Sequence, residues 1–222
     1  MRTVIVLRPE PGASATLARA RALGLDAISI PLFEVEAVKW DAPGSAGFDA
    51  LLLTSANAIR CGGAALEYLR ALPVHAVGAA TAEAAREAGF TIASSGTGGV
   101  DDLLDRVEPE LRLLHLCGVD RRTAASPRQA IAAVPVYRSR AIDPPPGLEQ
   151  AIGAVVLVHS PRAGHRLAEL IEDRGPIAIA AISGAAAEAA GAGWNEIHIA
   201  AEPCDDALLA LAARLCNTSP PE

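Results

Sequence analysis

The chain has 222 residues, a formal net charge of −7 and a hydrophobic content of 51%, with only 3% aromatic residues. An acidic chain without a run of Lys and Arg is a poor general nucleic-acid binder, so we expect no nucleic-acid partner. The apolar run at the N-terminus is too short for a signal peptide, and no apolar stretch is long enough to cross a bilayer. We therefore expect a cytoplasmic protein without a membrane partner.

Short β-branched and leucine-rich runs alternate with helical patterns along the chain. In chain order, the patterns predict strand 3–7, helix 14–23, strand 27–30, strand 49–53, helix 57–72, strand 74–77, helix 81–88, strand 111–116, a weak helix around 126–133, strand 134–142, strands 155–158, 177–182 and 197–199, and a last helix with Leu208, Leu211, Ala212 and Leu215 on one face. Alternating strands and helices with continuously apolar strands indicate an α/β fold with parallel sheets covered on both faces.

Two stretches of the chain, 48–107 and 153–212, resemble each other at a spacing of 105 positions. Ser55 corresponds to Ser160, and Gly78 corresponds to Ser183. A repeat of this length is too long for a solenoid, so it predicts two similar parallel-sheet α/β domains of flavodoxin-like type. We expect a ligand cleft between them, because interdomain clefts are a preferred place for ligands.

The predicted domain boundaries do not simply halve the chain. A single strand–helix–strand piece precedes the first copy of the repeat, and we expect it to complete the sheet of the second copy. Residues 1–35 with 141–222 then form one discontinuous domain, and residues 39–134 form the other. Residues 36–38 and 135–140 belong to extended segments of matching length, so we expect them to pair as a two-stranded hinge.

Candidate binding residues follow the predicted strands, because ligands of open parallel sheets bind beyond the carboxyl ends of the strands. Nearly all of these residues are small, hydroxyl-bearing or glycine. The candidates for substrate binding are Arg8, Thr54, Ser55, Asn57, Gly78, Thr81, Gly118, Ser160, Ser183 and Gly184. Hydroxyls and free N–H groups at helix N-termini suit an anionic ligand. The alternative is that the Ser and Thr residues serve only as helix N-caps.

Motifs for the common cofactors and nucleophiles are absent from the sequence. It contains no G-x-G-x-x-G, no G-x-x-x-x-G-K-[ST], no H-E-x-x-H and no G-x-S-x-G. The four cysteines form no Cys-x-x-Cys pair, and the histidines show no metal-ligand spacing. We therefore expect neither a metal nor an organic cofactor.

Tyr137 is one of two tyrosines and lies in a predicted hinge strand. One interpretation is a half-buried strand residue whose hydroxyl is satisfied locally. The other is a phenol at the ligand cleft that donates a hydrogen bond or acts as a weak general acid. Arg121 and Arg122 follow strand 111–116, and they are either a solvated pair or part of an anion-binding rim.

The order and spacing of several short motifs resemble those of the uroporphyrinogen-III synthase family. The matching segments are "VLRP" at 6–9, Pro31, "LLLTSANAIR" at 51–60, "VGAATAEAAREAG" at 77–89, "VPVYR" at 134–138, "HSPRA" at 159–163 and "AAISGAAAEAAGAG" at 180–193. The resemblance implies two similar α/β domains joined by a two-stranded hinge, with the N-terminal strand–helix–strand piece folded into the second copy's domain.

The resemblance also implies an activity. A lyase of this family closes linear hydroxymethylbilane into a macrocycle, with loss of water and inversion of ring D, and needs no cofactor. Tyr137 corresponds to the family's tyrosine that helps the hydroxyl to leave, and Ser55, Thr81 and Ser160 correspond to hydroxyl-bearing positions of the cleft. Alanines occupy 185 and 186, where the family usually has threonine, so polar contacts from that turn are expected from Ser183 or backbone amides.

The residues leave a second function open, a non-enzymatic two-domain clamp for a small carboxylate or a sugar. A sugar clamp is expected to stack aromatic rings on its ligand, and only Trp40 and Trp194 could supply indole rings for this. For either function we expect a small-molecule partner and a monomeric protein.

Overall fold

The computed structural model describes residues 2–96, 99–121 and 124–217. The chain divides into two compact units, which we call the first unit (Met1–Glu34 with Ala141–Glu222) and the second unit (Val35–Arg140). The strands are β1 (Val4–Val6), β2 (Ala27–Ser29), β3 (Phe33–Ala37), β4 (Ala50–Leu53), β5 (Val74–Val77), β6 (Ile92–Gly96), β7 (Arg112–Gly118), β8 (Ala130–Ala141), β9 (Val155–Val158), β10 (Ala178–Ala181) and β11 (Glu196–Ile199). The helices are α1 (Gly12–Ala22), α2 (Asn57–Gly62), α3 (Ala79–Glu87), α4 (Val100–Leu104), α5 (Pro161–Leu170), α6 (Gly184–Ala190) and α7 (Asp205–Asn217), with 3-10 turns at Ser45–Gly47, Gly63–Leu69 and Leu148–Ala151.

The first unit contains a five-stranded parallel sheet in the order β11-β10-β9-β1-β2. Neighbouring residues of its central strands pack on opposite faces, as the period of a strand requires. Val4 and Val155 belong to one apolar cluster, whereas Ile5 and Val156 belong to the other. Both faces of the sheet are therefore covered, which explains why its central strands are continuously apolar.

The second unit contains a six-stranded sheet in the order β3-β8-β7-β4-β5-β6. The pairs β7–β8, β4–β7, β4–β5 and β5–β6 are parallel. β3 is hydrogen-bonded to β8, and the next residue, Val38, donates its N–H to the Val136 carbonyl at 3.1 Å. The segments predicted to form a hinge are therefore adjacent strands, while their action as a hinge and the cleft between domains stay predictions.

The sequence repeat reappears as a repeat of sheet topology. β4, β5 and β6 are consecutive neighbours in one sheet, as β9, β10 and β11 are in the other. β7 then occupies the place beside β4 that β1 occupies beside β9. Ser55 and Ser160 thus follow equivalent strands, and the prediction of two similar parallel-sheet α/β halves is confirmed.

Two predicted elements differ from the structure. The helix expected around 126–133 is wrong, because residues 130–141 form the single long strand β8. Pairing with seven consecutive residues of β7 overrides the weak local helical pattern. The helix expected at 57–72 ends early at Gly62, because Gly63 has φ +62, a left-handed backbone conformation that stops a helix. A 3-10 turn continues from there to Leu69.

Across the described ranges, no helix is both long and apolar enough to cross a membrane.

Candidate functional site

A pocket of about 220 Å³ lies in the second unit where β4, β5 and β7 end. Its lining residues define what we call the Tyr137 pocket: Thr54, Ser55, Val77, Val100, Gly118, Asp120, Arg121 and Tyr137. Four residues singled out in the sequence, Thr54, Ser55, Gly118 and Tyr137, meet in this one pocket. Their convergence follows from the parallel sheet, in which the carboxyl ends of neighbouring strands share an edge.

A buried histidine supports one wall of the Tyr137 pocket. The Thr54 hydroxyl lies 3.1 Å from Nε2 of His115, and His115 is only 5% exposed. Burial, reinforced by the positive charge of Arg121, lowers the pKa of His115 to about 4. The imidazole is therefore neutral near pH 7, and the pair offers hydrogen-bonding groups without adding a charge.

Ser55 and Tyr137 contact each other inside the pocket. The Ser55 hydroxyl lies near the Tyr137 hydroxyl, and the Ser55 oxygen accepts the Asn57 N–H at 3.2 Å. Burial raises the pKa of Tyr137 above its ordinary value, although the nearby Ser55 hydroxyl and Gly118 backbone act in the opposite direction. The phenol is therefore fully protonated at neutral pH and can act as a hydrogen-bond donor.

The remaining candidates of the second unit lie outside the lining of this pocket. Gly78 precedes α3 with φ +88, and its N–H donates to the Gly96 carbonyl at 2.9 Å. Thr81 is 6% exposed and packs within the unit as part of α3. The Asn57 side chain accepts a hydrogen bond of 3.4 Å from Arg60.

In the first unit, the candidate serines are helix N-caps. The Ser160 side chain accepts the Ala163 N–H at 3.2 Å and begins α5. The Ser183 side chain accepts the Ala186 N–H at 3.3 Å, and Gly184 is the first residue of α6. The capping interpretation therefore describes both serines. Capping does not use the hydrogen that each serine hydroxyl can still donate.

Arg8 is engaged within the first unit. Its guanidinium contacts both carboxylate oxygens of Asp205 at 3.0 and 3.2 Å, and Arg19 contacts the same carboxylate at 3.0 Å. Thr16, which is fully buried, donates its hydroxyl to Asp205 at 2.8 Å. The nearby imidazole of His159, the Thr16 hydroxyl and the Arg8 charge hold the pKa of Asp205 well below its usual range. The charge of Arg8 is thus largely balanced by Asp205.

Some residues in or beside the Tyr137 pocket are not among the substrate-binding candidates predicted from the sequence. Arg121 lines the pocket, which favours the anion-rim alternative for this arginine, while Arg122 lies outside the described residues. The sequence places His115 on a predicted buried strand, and this position directly before the pocket is the signal that marks its contact with Thr54. No group of three or more His, Cys, Asp or Glu side chains suited to a metal is found in the ranges that the structure covers.

Comparisons with known proteins agree with the sequence resemblance. The family model described as HEM4, uroporphyrinogen-III synthase HemD, matches residues 14–210. Uroporphyrinogen-III synthetase from Helicobacter pylori is 17% identical, with a TM-score of 0.70 over 97% of this chain and 100% of the other. A mutant uroporphyrinogen III synthase from Thermus thermophilus is also 17% identical, with a TM-score of 0.55 over the same shares of the two chains. At this identity the structures show a shared fold alone. No curated protein matches the sequence at a significant level.

Proposed function

The chain belongs to the uroporphyrinogen-III synthase family, and we propose that it is a lyase that cyclises hydroxymethylbilane to uroporphyrinogen III. The reaction removes water from the linear tetrapyrrole and inverts ring D before the macrocycle closes. The family is one of tetrapyrrole biosynthesis, so its substrate is a small molecule. We further propose that the two compact units act as the two domains predicted from the sequence.

The observation that carries the proposal is the protonated phenol of Tyr137 in a pocket that is also lined by the Thr54 and Ser55 hydroxyls, Arg121 and Asp120. We assign Tyr137 the role of hydrogen-bond donor to the departing hydroxyl of hydroxymethylbilane. The carbon–oxygen bond breaks with its electron pair on the oxygen, which accepts the Tyr137 hydrogen bond, takes a proton from solvent and leaves as water. An azafulvenium-type cation remains, and closure of the macrocycle returns one proton to solvent. A neutral donor assists this step without holding a negative charge against the carboxylates of the substrate.

The same pocket supports recognition of carboxylate groups. Arg121 offers a planar guanidinium, and the Thr54 hydroxyl can donate to an acetate or propionate arm. A volume of about 220 Å³ is smaller than the 300–1,000 Å³ that a whole drug-sized ligand occupies. We therefore propose that the Tyr137 pocket receives only the reacting end of the substrate.

Further substrate contacts are proposed at the strand ends of both units. Asn57, Gly78 and Thr81 in the second unit, and Arg8, Ser160, Ser183 and Gly184 in the first, remain candidates for these contacts. Backbone N–H groups at the starts of the helices would supply part of them, together with the serine hydroxyl hydrogens that capping leaves available.

The clamp for a sugar has less support. The Trp194 indole donates to the Ala190 carbonyl at 3.0 Å and is buried, and the Trp40 indole donates to the Gly62 carbonyl at 3.0 Å. Neither indole lines the Tyr137 pocket, whose one aromatic ring is that of Tyr137.

Turnover of freshly prepared hydroxymethylbilane by exhaustively dialysed protein tests the proposal. After dialysis against a chelator, we expect full activity without added metal, nucleotide or flavin. A clamp would bind the linear tetrapyrrole and release it unchanged. Loss of activity on dialysis, restored by adding back a metal, would contradict the cofactor-free reaction.

A further inference from the structure

The ring of Tyr137 lies directly against Gly118. The two residues are opposite each other in the β7–β8 ladder, just after a shift of register at Cys117. A β-carbon at Gly118 would lie 2.9 Å from Cε2, 3.0 Å from Cζ and 3.3 Å from the hydroxyl oxygen of Tyr137. The first of these distances is shorter than side chains tolerate, so Gly118 leaves the space that the ring occupies. The backbone of Gly118 does not have positive φ, so the glycine is required here by space alone.

The hydroxyl of Ser55 approaches the phenol from β4. The Ser55 oxygen accepts the Asn57 N–H at 3.2 Å, which holds the side chain in place. A serine hydroxyl has one hydrogen to donate, and the Tyr137 hydroxyl is a nearby acceptor in the same pocket. When Ser55 donates this hydrogen, Tyr137 keeps its own hydrogen for a group in the pocket.

We propose that Ser55 and Gly118 are positioning residues for Tyr137. Gly118 provides the flat surface against which the ring rests, and Ser55 donates to the phenol oxygen so that the phenol hydrogen points into the pocket. The proposal deepens the proposed function and rests on it for its catalytic meaning. The placement of the phenol itself can be measured without any substrate.

The composition of the chain makes that measurement simple. The sequence has two tyrosines, and the other one, Tyr68, is 76% exposed. In a Tyr68→Phe parent, the ultraviolet absorbance of tyrosinate during an alkaline titration therefore reports Tyr137 alone. Circular dichroism at each pH shows whether the protein stays folded through the transition.

The titration separates a positioning role from a merely structural one. Ser55→Ala removes the hydroxyl that is proposed to donate to the phenolate, so we expect the ionisation midpoint of Tyr137 to rise by roughly 0.5–1 pH unit. Ser55→Thr restores the hydroxyl and should return the midpoint to that of the parent. An unchanged midpoint in Ser55→Ala would overturn the proposal.

The second measurement is a double-mutant cycle on turnover. We expect Ser55→Ala to lower kcat about tenfold with KM little changed, and to have no further effect in a Tyr137→Phe background. Gly118→Ala should behave in the same way, because it displaces the ring. If Ser55→Ala lowers kcat by the same factor in wild type and in the Tyr137→Phe background, Ser55 acts directly on the substrate. That result would contradict a positioning role.

Matched controls use β6, the edge strand of the same sheet. Gly96→Ala is the control for Gly118→Ala, because a β-carbon at Gly96 would meet its nearest atom at an ordinary 3.5 Å. Ser95→Ala, at an exposed position, is the control for Ser55→Ala. If Gly118→Ala fails to fold, the Ser55 variants decide the proposal alone. A wild-type protein that forms no type III product would contradict the proposed function, while the titration would still decide the placement of the phenol.

Discussion

The ends of β4 and β9 occupy the same place in the repeated fold, yet their residues differ in what they contact. After β4, Thr54 and Ser55 line a pocket together with Tyr137. After β9, the equivalent residues are His159 and Ser160. His159 lies 3.5 Å from the Asp205 carboxylate, and Ser160 caps α5. The comparison shows that one copy of the repeat leaves its hydroxyls open to a pocket, whereas the other uses the same position mainly for folding.

The local backbone explains this difference. Ser160 has φ −162 and ψ 156, an extended conformation that turns its side chain back onto the third residue ahead, the usual geometry of an N-cap. In the second unit the residue before α2 is Ala56, which is already helical. Ser55 therefore lies one residue further back, and its oxygen accepts the N–H of only the second residue ahead.

The largest effect is expected from a second negative charge in the Tyr137 pocket, which already contains Asp120. Ser55→Asp places a carboxylate beside the phenol and against the carboxylates of the substrate. Like charges at about 4 Å repel by about 4 kcal/mol near a protein surface, so we expect kcat/KM to fall at least about a hundredfold. Ser95→Asp, at an exposed position of β6, is the control. If the steady-state rates of Ser55→Asp equal those of wild type, the Tyr137 pocket does not bind the substrate.

Removal of the phenol should have the next largest effect. Tyr137→Phe deletes one hydrogen-bond donor, so we expect type III formation to slow between about tenfold and a few hundredfold. Some activity should remain, because hydroxymethylbilane can lose water unaided. Tyr68→Phe changes an exposed tyrosine and should leave the rate unchanged. If the kinetics of Tyr137→Phe are unchanged, the Tyr137 hydroxyl takes no part in the reaction and the ring serves only for packing.

The carboxylate network of the first unit should contribute to stability. Asp205 is 11% exposed and contacts Arg8, Arg19 and Thr16, so we expect Asp205→Asn to lower the unfolding free energy by about 2 kcal/mol. In the sequence repeat Asp101 corresponds to Asp205 at a spacing of 104 positions, after one deletion. Asp101 is exposed and accepts the Ala125 N–H, and Asp101→Asn should cost less than about 1 kcal/mol. Urea denaturation measures both. Equal losses would show that the two copies use this aspartate alike.

The same network gives a pH dependence with a defined sign. Because folding lowers the pKa of Asp205, its contribution is fully present above the ordinary carboxyl pKa of about 4. The contribution is lost as the pH falls towards the lower pKa of the folded protein. Wild type should therefore lose more stability than Asp205→Asn between about pH 4 and pH 2. Parallel stability curves for the two proteins would contradict this cause.

The smallest effect is expected at the caps of the first unit. Ser160→Ala and Ser183→Ala should each lower the unfolding free energy by about 1 kcal/mol, because each leaves a helix N–H without its acceptor. Ser160→Asn should keep most of the stability, since asparagine is also a good N-cap. An equal loss in Ser160→Asn would show that the serine does more than cap α5.

The repeat allowed much of the fold to be predicted, because equivalent strands carry equivalent apolar runs. The sequence predicts a helix for the first residues of β8, because the strand is stabilised by pairing with β7. This pairing leaves no signal in the local sequence of β8. β6 was not predicted, since it carries Ser94 and Ser95 in place of a continuous apolar run. Local sequence patterns do not report partners that only the folded chain brings together.

The same limit applies to the candidate site. Thr54, Ser55, Gly118 and Tyr137 were identified because they follow strands or resemble a family motif, and they meet in one pocket. The pairing of Arg8 with Asp205 joins residues 197 positions apart, and nothing in either local segment indicates it. A strand-end position therefore predicts where a side chain lies better than it predicts whether that side chain is free to bind a ligand.

The isomer composition of the product tests the central claim most directly. Hydroxymethylbilane closes spontaneously without inversion, so protein and substrate are mixed at several protein concentrations and the type I and type III products are separated. We predict that the type III fraction rises with protein concentration until type III is the main product. A product that contains only the type I isomer at every protein concentration would contradict the proposed function.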